Sequence, residues 1–235
     1  LYLHGAGGAP VELPFMTALA DRFDLLVPEH PGFGGSDEPD WIDNVHDIAY
    51  FYLDFLEALD LRDVHVVGSS LGGWIALEIA VRSSARLASL TLGAPAGLYV
   101  YGLKTGDVFT WSPEETARQM FHDPALGEAA IAALPANVEA DDAFLKNRAS
   151  LARLGWEPRL HDPHLAKWLH RVDLPTKIVW GDDDRVFEAG YADEFVRLIP
   201  GATAEVLAGC GHLPHIEKAD AFVDIVTRHA TEAAR

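Results

Sequence analysis

The segment Val64–Trp74, with the sequence VHVVGSSLGGW, contains a Gly-x-Ser-x-Gly pattern between an apolar run and a helical pattern. A serine on a sharp strand-to-helix turn needs small neighbours, because the backbone there is strained and crowded. Gly68 and Gly72 supply that space two residues before and two residues after Ser70. The segment predicts that Ser70 is a nucleophile at the carboxyl end of a buried strand, with the Leu71 amide facing the reacting oxygen. A glycine-rich turn without chemistry is the alternative.

The same order of strand and helix continues along the chain. Apolar residues with helical spacing lie between short apolar runs, for example over residues 48–59 and 74–81. This alternation predicts an α/β fold with a mostly parallel sheet and helices on both faces. The predicted strands are Leu1–Leu3, Leu25–Val27, Val64–Val67, Leu87–Leu92, Lys177–Trp180 and Ala204–Leu207.

The alternation stops after the fourth apolar run and resumes at the fifth. The interval 97–171 shows helical patterns and no clear strand, and its net charge is −2, whereas the rest of the chain carries −16. We therefore predict a helical insertion over residues 97–171 in a core formed by residues 1–96 and 172–235. The clearest helices predicted in the insertion are Pro113–Met120, with Ser112 as N-cap residue and Glu115 three residues on, and Asp141–Leu154.

The charge balance excludes several classes of partner. With 18 basic and 36 acidic residues the net charge is −18, which repels nucleic acids and anionic membrane surfaces. The longest uncharged stretch, Leu87–Leu103, has 17 residues interrupted by Pro95, so it is too short and too broken to cross a bilayer. A single cysteine, Cys210, excludes an internal disulfide and a cysteine-rich metal site. We expect a small-molecule substrate, no nucleic acid and no membrane as partners, and the pattern does not predict an oligomeric state.

The chain begins at Leu1 without an initiating methionine, and its first residues already have the pattern of a buried strand. We interpret the sequence as one that lacks its true N-terminal segment. No targeting signal is visible in the residues present, so we expect a cytoplasmic location.

A second glycine-rich segment, His4–Gly8 with the sequence HGAGG, follows the first predicted strand. A loop of this kind turns a backbone amide toward the carboxyl ends of the strands. The amides of Ala6 and Leu71 would then form the two donors that stabilise an oxyanion during acyl transfer. The alternative is a phosphate-binding loop, which requires Gly-x-Gly-x-x-Gly or a following Gly-Lys-Ser/Thr, and the segment has neither.

The sequence resembles the α/β-hydrolases of the capped serine type over essentially its whole length. The resemblance implies the α/β-hydrolase fold, with the insertion as a helical cap and two further strands before the first one seen here. It also implies a nucleophile, an acid and a histidine in that order along the chain, which Ser70, Asp184 and His212 satisfy. The further segments that carry the resemblance are HPGFGGS at His30–Ser36, WGDDDR at Trp180–Arg185 and GCGH at Gly209–His212.

The family pattern places the acid three residues after the glycine of the Trp-Gly turn, which is Asp184. Asp182 and Asp183 are alternatives, and the ordinary role of such neighbours is to cap the loop or to pair with a cation. Relatives often have a proline four residues after the acid, where this chain has Glu188, so we expect a local difference in the loop. His30 stands where relatives commonly have an aspartate, and the sequence assigns it no function.

His212 would take the proton of Ser70 and return it to the leaving group, while Asp184 orients the imidazole ring. His215 is an alternative base, and His212 with His215 has the spacing of two metal ligands, although no third-ligand motif accompanies them. We expect neither a metal nor an organic cofactor. Cys210 has no base partner of its own, which indicates a small buried residue.

The predicted cap is expected to select the substrate, because it would lie over the strand ends that carry the triad. Its near-neutral charge and aromatic content favour an apolar, largely uncharged substrate. Arg148 and Arg153 are candidates for meeting a substrate carboxylate, although a solvated helix face is the ordinary role of such residues. Some apolar residues of the insertion should form the core of the cap and others the pocket; they are Phe109, Trp111, Met120, Phe121, Phe144, Leu151, Leu154, Trp156 and Trp168.

We therefore predict a serine hydrolase that cleaves a small apolar carboxylic ester through an acyl-enzyme. One alternative is hydrolysis of a carbon–carbon bond in a ring-fission product. The segment Gly93–Leu98 resembles the linker of such relatives, but Leu213 stands where they carry tryptophan after the histidine. The other alternative is a binding protein of the same fold without chemistry, against which the intact Ser70, Asp184 and His212 argue.

Overall fold

In the computed structural model, which describes residues 1–9 and 12–234, a five-stranded sheet forms the centre of the molecule. Residues 10, 11 and 235, which the predicted core ranges include, lie outside the described residues. The strands follow chain order across the sheet, and every neighbouring pair is parallel. Each parallel pair needs a crossover connection, which places helices on the faces of the sheet. The strands are β1 (Tyr2–Leu3), β2 (Val64–Ser69), β3 (Leu87–Gly93), β4 (Thr176–Gly181) and β5 (Thr203–Leu207).

The described helices are α1 (Pro14–Ala20), α2 (Val45–Ala58), α3 (Leu71–Arg82), α4 (Pro113–Met120), α5 (Pro124–Ala132), α6 (Asp142–Gly155), α7 (Leu165–Trp168), α8 (Gly190–Leu198), α9 (Pro214–Glu217) and α10 (Ala219–Ala233). Helices α2, α3 and α8 cover one face of the sheet, and α1 and α10 cover the other. Within the described ranges, no helix is both long enough and apolar enough to cross a bilayer.

Strands β2 and β4 contribute side chains to two hydrophobic cores. Val66 and Ile178 belong to the core under α2, α3 and α8, whereas their neighbours Val67 and Val179 belong to the core under α1 and α10. Successive side chains of a strand point to opposite faces, so a sheet covered on both faces needs apolar residues at nearly every position. This double burial explains the continuous apolar runs in the sequence, and it confirms the α/β fold.

Most predicted strands are confirmed to within two residues, but the prediction of a strand at Leu25–Val27 is wrong. The chain there passes the outer edge of β1 without forming a ladder. One backbone hydrogen bond, from the Tyr2 N–H to the Leu26 carbonyl at 2.8 Å, joins the two segments. Because β1 has only two residues, its edge offers too few positions for a regular ladder.

The predicted helices of the insertion are confirmed with small shifts. Helix α4 has the predicted bounds, and the Glu115 N–H donates to the Ser112 hydroxyl at 3.1 Å. Helix α6 begins one residue later than predicted because the Asp141 carboxylate caps it, accepting the Phe144 N–H at 2.8 Å. The sequence analysis missed α1 and α5, which have 7 and 9 residues, since short helices give too few turns for a clear periodicity.

The insertion leaves the sheet after β3 and returns to it at β4, and its two ends meet. The Gly97 N–H donates to the Leu160 carbonyl at 3.0 Å, and the Asp162 N–H donates to the Gly97 carbonyl at 3.1 Å. These bonds close the helical segment on itself near the sheet edge. The division into a core of 1–96 and 172–235 and a cap of 97–171 stays a prediction.

Helix α6 attaches the insertion to the loop that follows residue 30. The Ser150 hydroxyl donates to the Gly32 carbonyl, and the Lys146 ammonium group donates to the Gly34 carbonyl at 3.1 Å. Arg153 forms an ion pair with Glu38 on the same loop. The helix is therefore fixed along one side over the carboxyl ends of the strands.

Acid should destabilise this fold, because His215 is buried as a neutral ring. Burial, and secondarily the nearby His212, lower the pKa of His215 to about 3. In the unfolded chain the pKa is about 6.5. Between those pH values His215 is protonated in the unfolded chain and neutral in the folded protein. The free energy of unfolding therefore falls as the pH drops from 6.5 toward 3.

We expect this histidine alone to lower the free energy of unfolding by about 2 kcal/mol between pH 7 and pH 5. Urea denaturation at both pH values measures it. His215→Asn should weaken the pH dependence, whereas His164→Asn, at an exposed position, should leave it unchanged. Equal pH dependence in the wild type and His215→Asn would contradict the prediction.

Candidate active site

Ser70 lies at a strained turn between β2 and α3. Its backbone has φ 53° and ψ −114°, in the left-handed half of the map that non-glycine residues rarely enter. Such a conformation costs about 1–3 kcal/mol and persists only where surrounding contacts enforce it. Two bonds do so here: the Ser70 N–H donates to the Gly93 carbonyl at 2.9 Å, and the Ala96 N–H donates to the Ser70 carbonyl at 3.0 Å.

The glycines around Ser70 are required by close backbone contacts. A Cβ atom on Gly68 would lie 2.5 Å from the Gly72 carbonyl oxygen, and one on Gly72 would overlap the Leu3 carbonyl. A Cβ atom on Gly73 would lie 2.7 Å from the Cβ of Pro95. The predicted need for small neighbours is therefore explained by contacts with the helix start, with β1 and with the segment after β3.

A chain of hydrogen bonds joins Ser70, His212 and Asp184. The His212 Nε2 atom lies 2.9 Å from the Ser70 hydroxyl oxygen, and Nδ1 lies 2.8 Å from Oδ2 of Asp184. With the proton on Nδ1, the ring donates to the carboxylate and accepts from the hydroxyl. The side chains of His212 and Asp184 are 2% and 0% exposed, so water scarcely competes for these bonds.

The carboxylate of Asp184 is held by the backbone of its own loop. Its second oxygen, Oδ1, accepts the N–H groups of Val186 at 2.8 Å and Phe187 at 3.0 Å. These bonds need no proline four residues after the aspartate, so Glu188 at that position does not disturb the carboxylate. The Asp184 carboxylate is therefore held by bonds that do not involve the histidine.

The other residues considered for the acid and the base have different partners. Asp182 accepts the Cys210 N–H at 3.3 Å, and Asp183 pairs with Arg185 at 2.7 Å and with His122 at 3.0 Å. The His215 ring is buried, with Nδ1 at 3.2 Å from the Ser69 hydroxyl. The structure therefore brings Asp184 and His212 to Ser70, and directs these neighbours elsewhere.

Both segments predicted to supply oxyanion donors border the same cavity as Ser70. Leu71 is the first residue of α3, so its amide belongs to the helix N-terminus, which carries partial positive charge. Ala6 lies on the glycine-rich loop, which is held by a bond from the Asn147 amide to the Gly7 carbonyl at 2.9 Å. A helix of the insertion thus contacts the loop that carries one of the two amides.

The glycine-rich loop rests on a buried network that the sequence analysis missed. The ring centroids of His4 and His30 lie 3.7 Å apart, and the backbone N–H of His30 donates to Nε2 of His4 at 2.9 Å. The Tyr52 hydroxyl lies 2.6 Å from Nδ1 of His30. Burial lowers the pKa of His4 to about 4 and holds the pKa of His30 well below its usual value. The histidine that stands in place of an aspartate therefore supports the loop as a neutral ring, and no local motif predicted it.

The His212 loop is held by the insertion and by one carboxylate. The His212 N–H donates to the Met120 carbonyl at 2.8 Å, at the end of α4. Glu217 accepts three backbone N–H groups: Gly211 at 2.6 Å, Asp123 at 2.7 Å and His122 at 3.2 Å. This carboxylate links the histidine loop to the start of α5. The sequence analysis missed it because the three donors come from two distant segments.

Ser70 opens into a cavity of about 450 Å³ under the insertion. The lining is largely apolar and comes from both the sheet edge and the insertion. Of the aromatic residues considered, Phe144 borders the cavity, whereas Trp156 and Trp168 lie away from the described lining and are 52% and 49% exposed. The Trp156 ring instead packs on the Arg159 guanidinium at 3.9 Å. The residues of the insertion in the lining include Val108, Thr116, Met120, Leu134, Phe144, Asn147, Arg148, Leu151 and Leu160.

One group of side chains could in principle hold a metal ion: His46, Glu78 and Asp162, whose ligand atoms lie within 4.8 Å of one another. The Arg82 guanidinium already pairs with the buried Glu78 carboxylate at 2.5 Å, and the Trp74 indole N–H donates to its other oxygen at 3.0 Å. The hydrogen bond to Glu78 raises the pKa of His46. A guanidinium at this position repels a second cation, so the cluster acts as an ion-pair network between α2, α3 and the insertion.

Comparison with known proteins agrees with the fold. A sequence model of the alpha/beta hydrolase family matches residues 1–225, and the chain belongs to that family. A meta-cleavage product hydrolase from Pseudomonas fluorescens IP01, with 23% identity, superposes with a TM-score of 0.82 over 99% of this chain and 90% of its own. At this identity the similarity shows the fold.

Two curated relatives match nearly the whole chain. Lipase 1 of Psychrobacter immobilis is 26% identical over 243 residues, which is 95% of this chain and 74% of the lipase. A dihydrolipoyllysine-residue acetyltransferase component of an acetoin cleaving system, from Cupriavidus necator, is 28% identical over 236 residues. That match covers 97% of this chain, which spans 62% of the length of that relative.

Glu217 should position His212 without touching the substrate. Glu217→Gln removes the negative charge that accepts three backbone N–H groups, and the amide N–H₂ of glutamine would face these donors. The His212 loop should therefore be held less firmly. We expect kcat to fall about tenfold with KM nearly unchanged, since the loss affects the reacting groups and spares the apolar cavity. Steady-state kinetics on an aryl ester measures both.

The matched control is Glu194→Gln, which removes the same charge from a residue paired with Arg197 on α8. It should leave kcat unchanged. A rise in KM at constant kcat for Glu217→Gln would show that the residue does not position the histidine.

Proposed function

We propose that this protein is a serine hydrolase that cleaves small carboxylic esters with a mainly apolar acyl or alcohol part through an acyl-enzyme. The observation that carries the proposal is the chain of hydrogen bonds Ser70–His212–Asp184, buried at one end and open at Ser70 to an apolar cavity. The family membership and the lipase among the relatives support hydrolysis. That the bond cleaved is a carboxylic ester is part of what we propose.

Acylation begins when the Ser70 oxygen attacks the ester carbonyl and forms a tetrahedral oxyanion. His212 Nε2 takes the hydroxyl proton as the bond forms, and Asp184 stabilises the imidazolium that results. The amides of Leu71 and Ala6 donate to the oxyanion. Collapse of this intermediate breaks the C–O bond, and His212 gives its proton to the departing alcohol. The acyl group is then bonded to Ser70.

Deacylation repeats the sequence with water. His212 removes a proton from water as its oxygen attacks the acyl carbonyl, and the same two amides stabilise the second oxyanion. The carboxylic acid leaves when the proton returns to Ser70. Every proton moves through one nitrogen, His212 Nε2, so the mechanism requires no further acid or base.

The insertion acts as the specificity element in this proposal, as a cap over residues 97–171. Only groups above the strand ends contact an acyl or alcohol group bound at Ser70. Phe144 and Leu151 from α6 and Met120 from α4 supply apolar walls there. Apolar walls discriminate by about 1–3 kcal/mol per methylene, so the preference among neutral esters is graded.

A second candidate is hydrolysis of a carbon–carbon bond in a ring-fission product. The linker Gly93–Leu98 and the fold similarity to a meta-cleavage product hydrolase favour it. Leu213, which borders the cavity directly after His212, disfavours it, since relatives of that kind carry tryptophan there. Aryl esters and dienoic ring-fission products, compared at equal concentration, distinguish the two reactions.

The triad itself is tested by substitution. Ser70→Ala should abolish turnover and the burst of acyl-enzyme formation, because Ser70 supplies the hydroxyl that bonds Nε2 of His212. Asp184→Asn should lower kcat by roughly 10⁴-fold, since the asparagine amide favours the wrong tautomer of His212. Stopped-flow and steady-state hydrolysis of an aryl acetate measure both effects.

Asp183→Asn serves as the control, because Asp183 pairs with Arg185 on its own loop and with His122 of the insertion, and not with His212. It should keep kcat within about twofold. Circular dichroism checks that each variant is folded. Near wild-type turnover by folded Ser70→Ala would overturn the proposed function.

Phe144 should control chain-length preference. Phe144→Ala enlarges the cavity, so kcat/KM for long acyl esters should rise about tenfold relative to short ones. Trp156→Ala, which follows the opposite end of α6 and lies outside the described lining, should keep the wild-type ranking. The measurement is kcat/KM across aryl esters of rising acyl length, and an unchanged ranking in Phe144→Ala would remove this role.

A further inference from the structure

Asn147 of α6 connects the insertion to two separate loops of the chain. Its side-chain oxygen accepts the Gly34 N–H at 2.8 Å, and its amide N–H₂ donates to the Gly7 carbonyl at 2.9 Å. This orientation of the carboxamide satisfies a donor and an acceptor at once. Gly34 lies on the loop of residues 30–36, and Gly7 lies on the glycine-rich loop that borders the cavity beside Ser70. One half-buried side chain of the insertion therefore holds the loop that carries a proposed oxyanion donor.

The glycine-rich loop depends on such contacts because its own residues do not fix its shape. Three of its five residues are glycines, which adopt many backbone conformations. The Gly8 N–H donates to the Gly5 carbonyl at 3.2 Å, and Nδ1 of His4 lies 2.7 Å from the same oxygen. Both bonds end on a carbonyl that precedes Ala6, whereas Asn147 bonds the carbonyl of the residue that follows it. The Ala6 amide thus lies between one contact from the core and one from the insertion.

The loop fits closely against both the asparagine and the proposed nucleophile. Gly8 has φ 93°, a conformation that favours glycine, and a Cβ atom there would lie 2.6 Å from Nδ2 of Asn147. A Cβ atom on Gly5 would lie 3.6 Å from the Cβ atom of Ser70. One short turn therefore contacts Asn147 through Gly8 and approaches Ser70 through Gly5, so a shift at the asparagine moves the backbone beside the serine.

We propose that Asn147 is a positioning residue that sets the place of the Ala6 amide as an oxyanion donor. It acts through the Gly7 carbonyl and leaves the reacting atoms to other groups. This inference rests on the proposed function and deepens it, because the insertion then contributes to stabilisation of the transition state as well as to the walls of the cavity. An amide must lie about 3 Å from the oxyanion to stabilise it, so a small shift of the loop affects the transition state more than the bound ester.

The alternative role for Asn147 is to anchor α6 with no effect on the oxyanion. Two variants separate these roles. Asn147→Ala loses both bonds, whereas Asn147→Asp keeps an acceptor for the Gly34 N–H and loses the donor to the Gly7 carbonyl. Removal of an oxyanion donor costs about 10²–10³ in kcat, and a displaced donor keeps part of its effect. We therefore expect both variants to lower kcat for an aryl ester about tenfold and to change KM less than about twofold.

A pair of ketones measures stabilisation of the oxyanion without ester hydrolysis. In 1,1,1-trifluoro-4-phenylbutan-2-one, the Ser70 oxygen bonds the carbonyl carbon, the hydroxyl proton passes to Nε2 of His212, and the carbonyl π electrons become the oxyanion of a hemiketal. 4-Phenylbutan-2-one has the same chain but lacks the fluorines that favour this adduct. In the wild type, the inhibition constant of the fluorinated ketone should be lower by about 100-fold or more.

The ratio of the inhibition constant of 4-phenylbutan-2-one to that of its fluorinated analogue reports the oxyanion contacts. This ratio should fall about tenfold in Asn147→Ala and in Asn147→Asp, because the adduct alone carries the negative oxygen. Loss of an anchor alone would weaken both ketones equally and leave the ratio unchanged. Thermal unfolding checks that both variants are folded.

The matched control is Lys146→Gln, at the neighbouring position of α6. Lys146 donates to the carbonyls of Gly34 and Ser36, and no bond from it to the glycine-rich loop is found within residues 1–9 and 12–234. The variant loosens the attachment of α6 to the loop of residues 30–36 alone. It should keep kcat and the ratio of inhibition constants within about twofold of the wild type.

The outcomes distinguish this inference from the proposed function. If no ester is hydrolysed but the ratio still falls in both Asn147 variants, the proposed function fails and the inference stands. Ester hydrolysis through Ser70 with an unchanged ratio in Asn147→Ala overturns the inference alone. So does a loss in Asn147→Ala that is absent from Asn147→Asp, or an equal loss in Lys146→Gln. If the wild type does not prefer the fluorinated ketone, Ser70 forms no stabilised oxyanion and both fail.

Discussion

The close approach of α3 to β1 and β2 is the constraint on which the rest of the site depends. It requires a bare backbone at Gly68 and Gly72, where a Cβ atom would contact a carbonyl group of the neighbouring segment. That approach forces Ser70 into a positive φ and turns its hydroxyl out of the sheet. The same geometry presents the start of α3, with its unsatisfied amides, beside the hydroxyl. This close approach thus accounts for both the conformation of Ser70, the proposed nucleophile, and the position of the Leu71 amide, which is proposed as an oxyanion donor.

Asp184 and His212 reach Ser70 because the carboxyl ends of parallel strands lie at one edge of the sheet. Asp184 follows β4 and His212 follows β5, so loops from neighbouring strands meet above β2 and β3. Local bonds then fix each group: the loop amides hold Asp184, and Glu217 with the Met120 carbonyl holds the His212 loop. Burial strengthens the bonds to Asp184, because little water competes for its donors and acceptors.

The insertion contributes to the site in two ways that share the same contacts. Its α4 end bonds the histidine backbone, and Asn147 of α6 bonds the glycine-rich loop, so the segment that covers the cavity also steadies two of its functional loops. Movement of the insertion would therefore change both the shape of the cavity and the position of the reacting groups.

The resemblance to the capped serine hydrolases added the predictions of Asp184 and His212. The sequence by itself predicted the α/β class, most strands, the two long helices of the insertion and Ser70 as the nucleophile. These signals are local: apolar runs, helical spacing and glycines at fixed offsets reflect forces between near neighbours in the chain. The extended segment at Leu25–Val27 shows the limit, because strand formation depends on a partner edge that its own residues do not encode. Only the tertiary structure decided that His30 supports the glycine-rich loop, that Glu217 ties the His212 loop to the insertion, and that Phe144 and Arg148 border the cavity while Trp156 does not. Those relations join residues that are distant in the chain, and they exist only once packing brings the segments together.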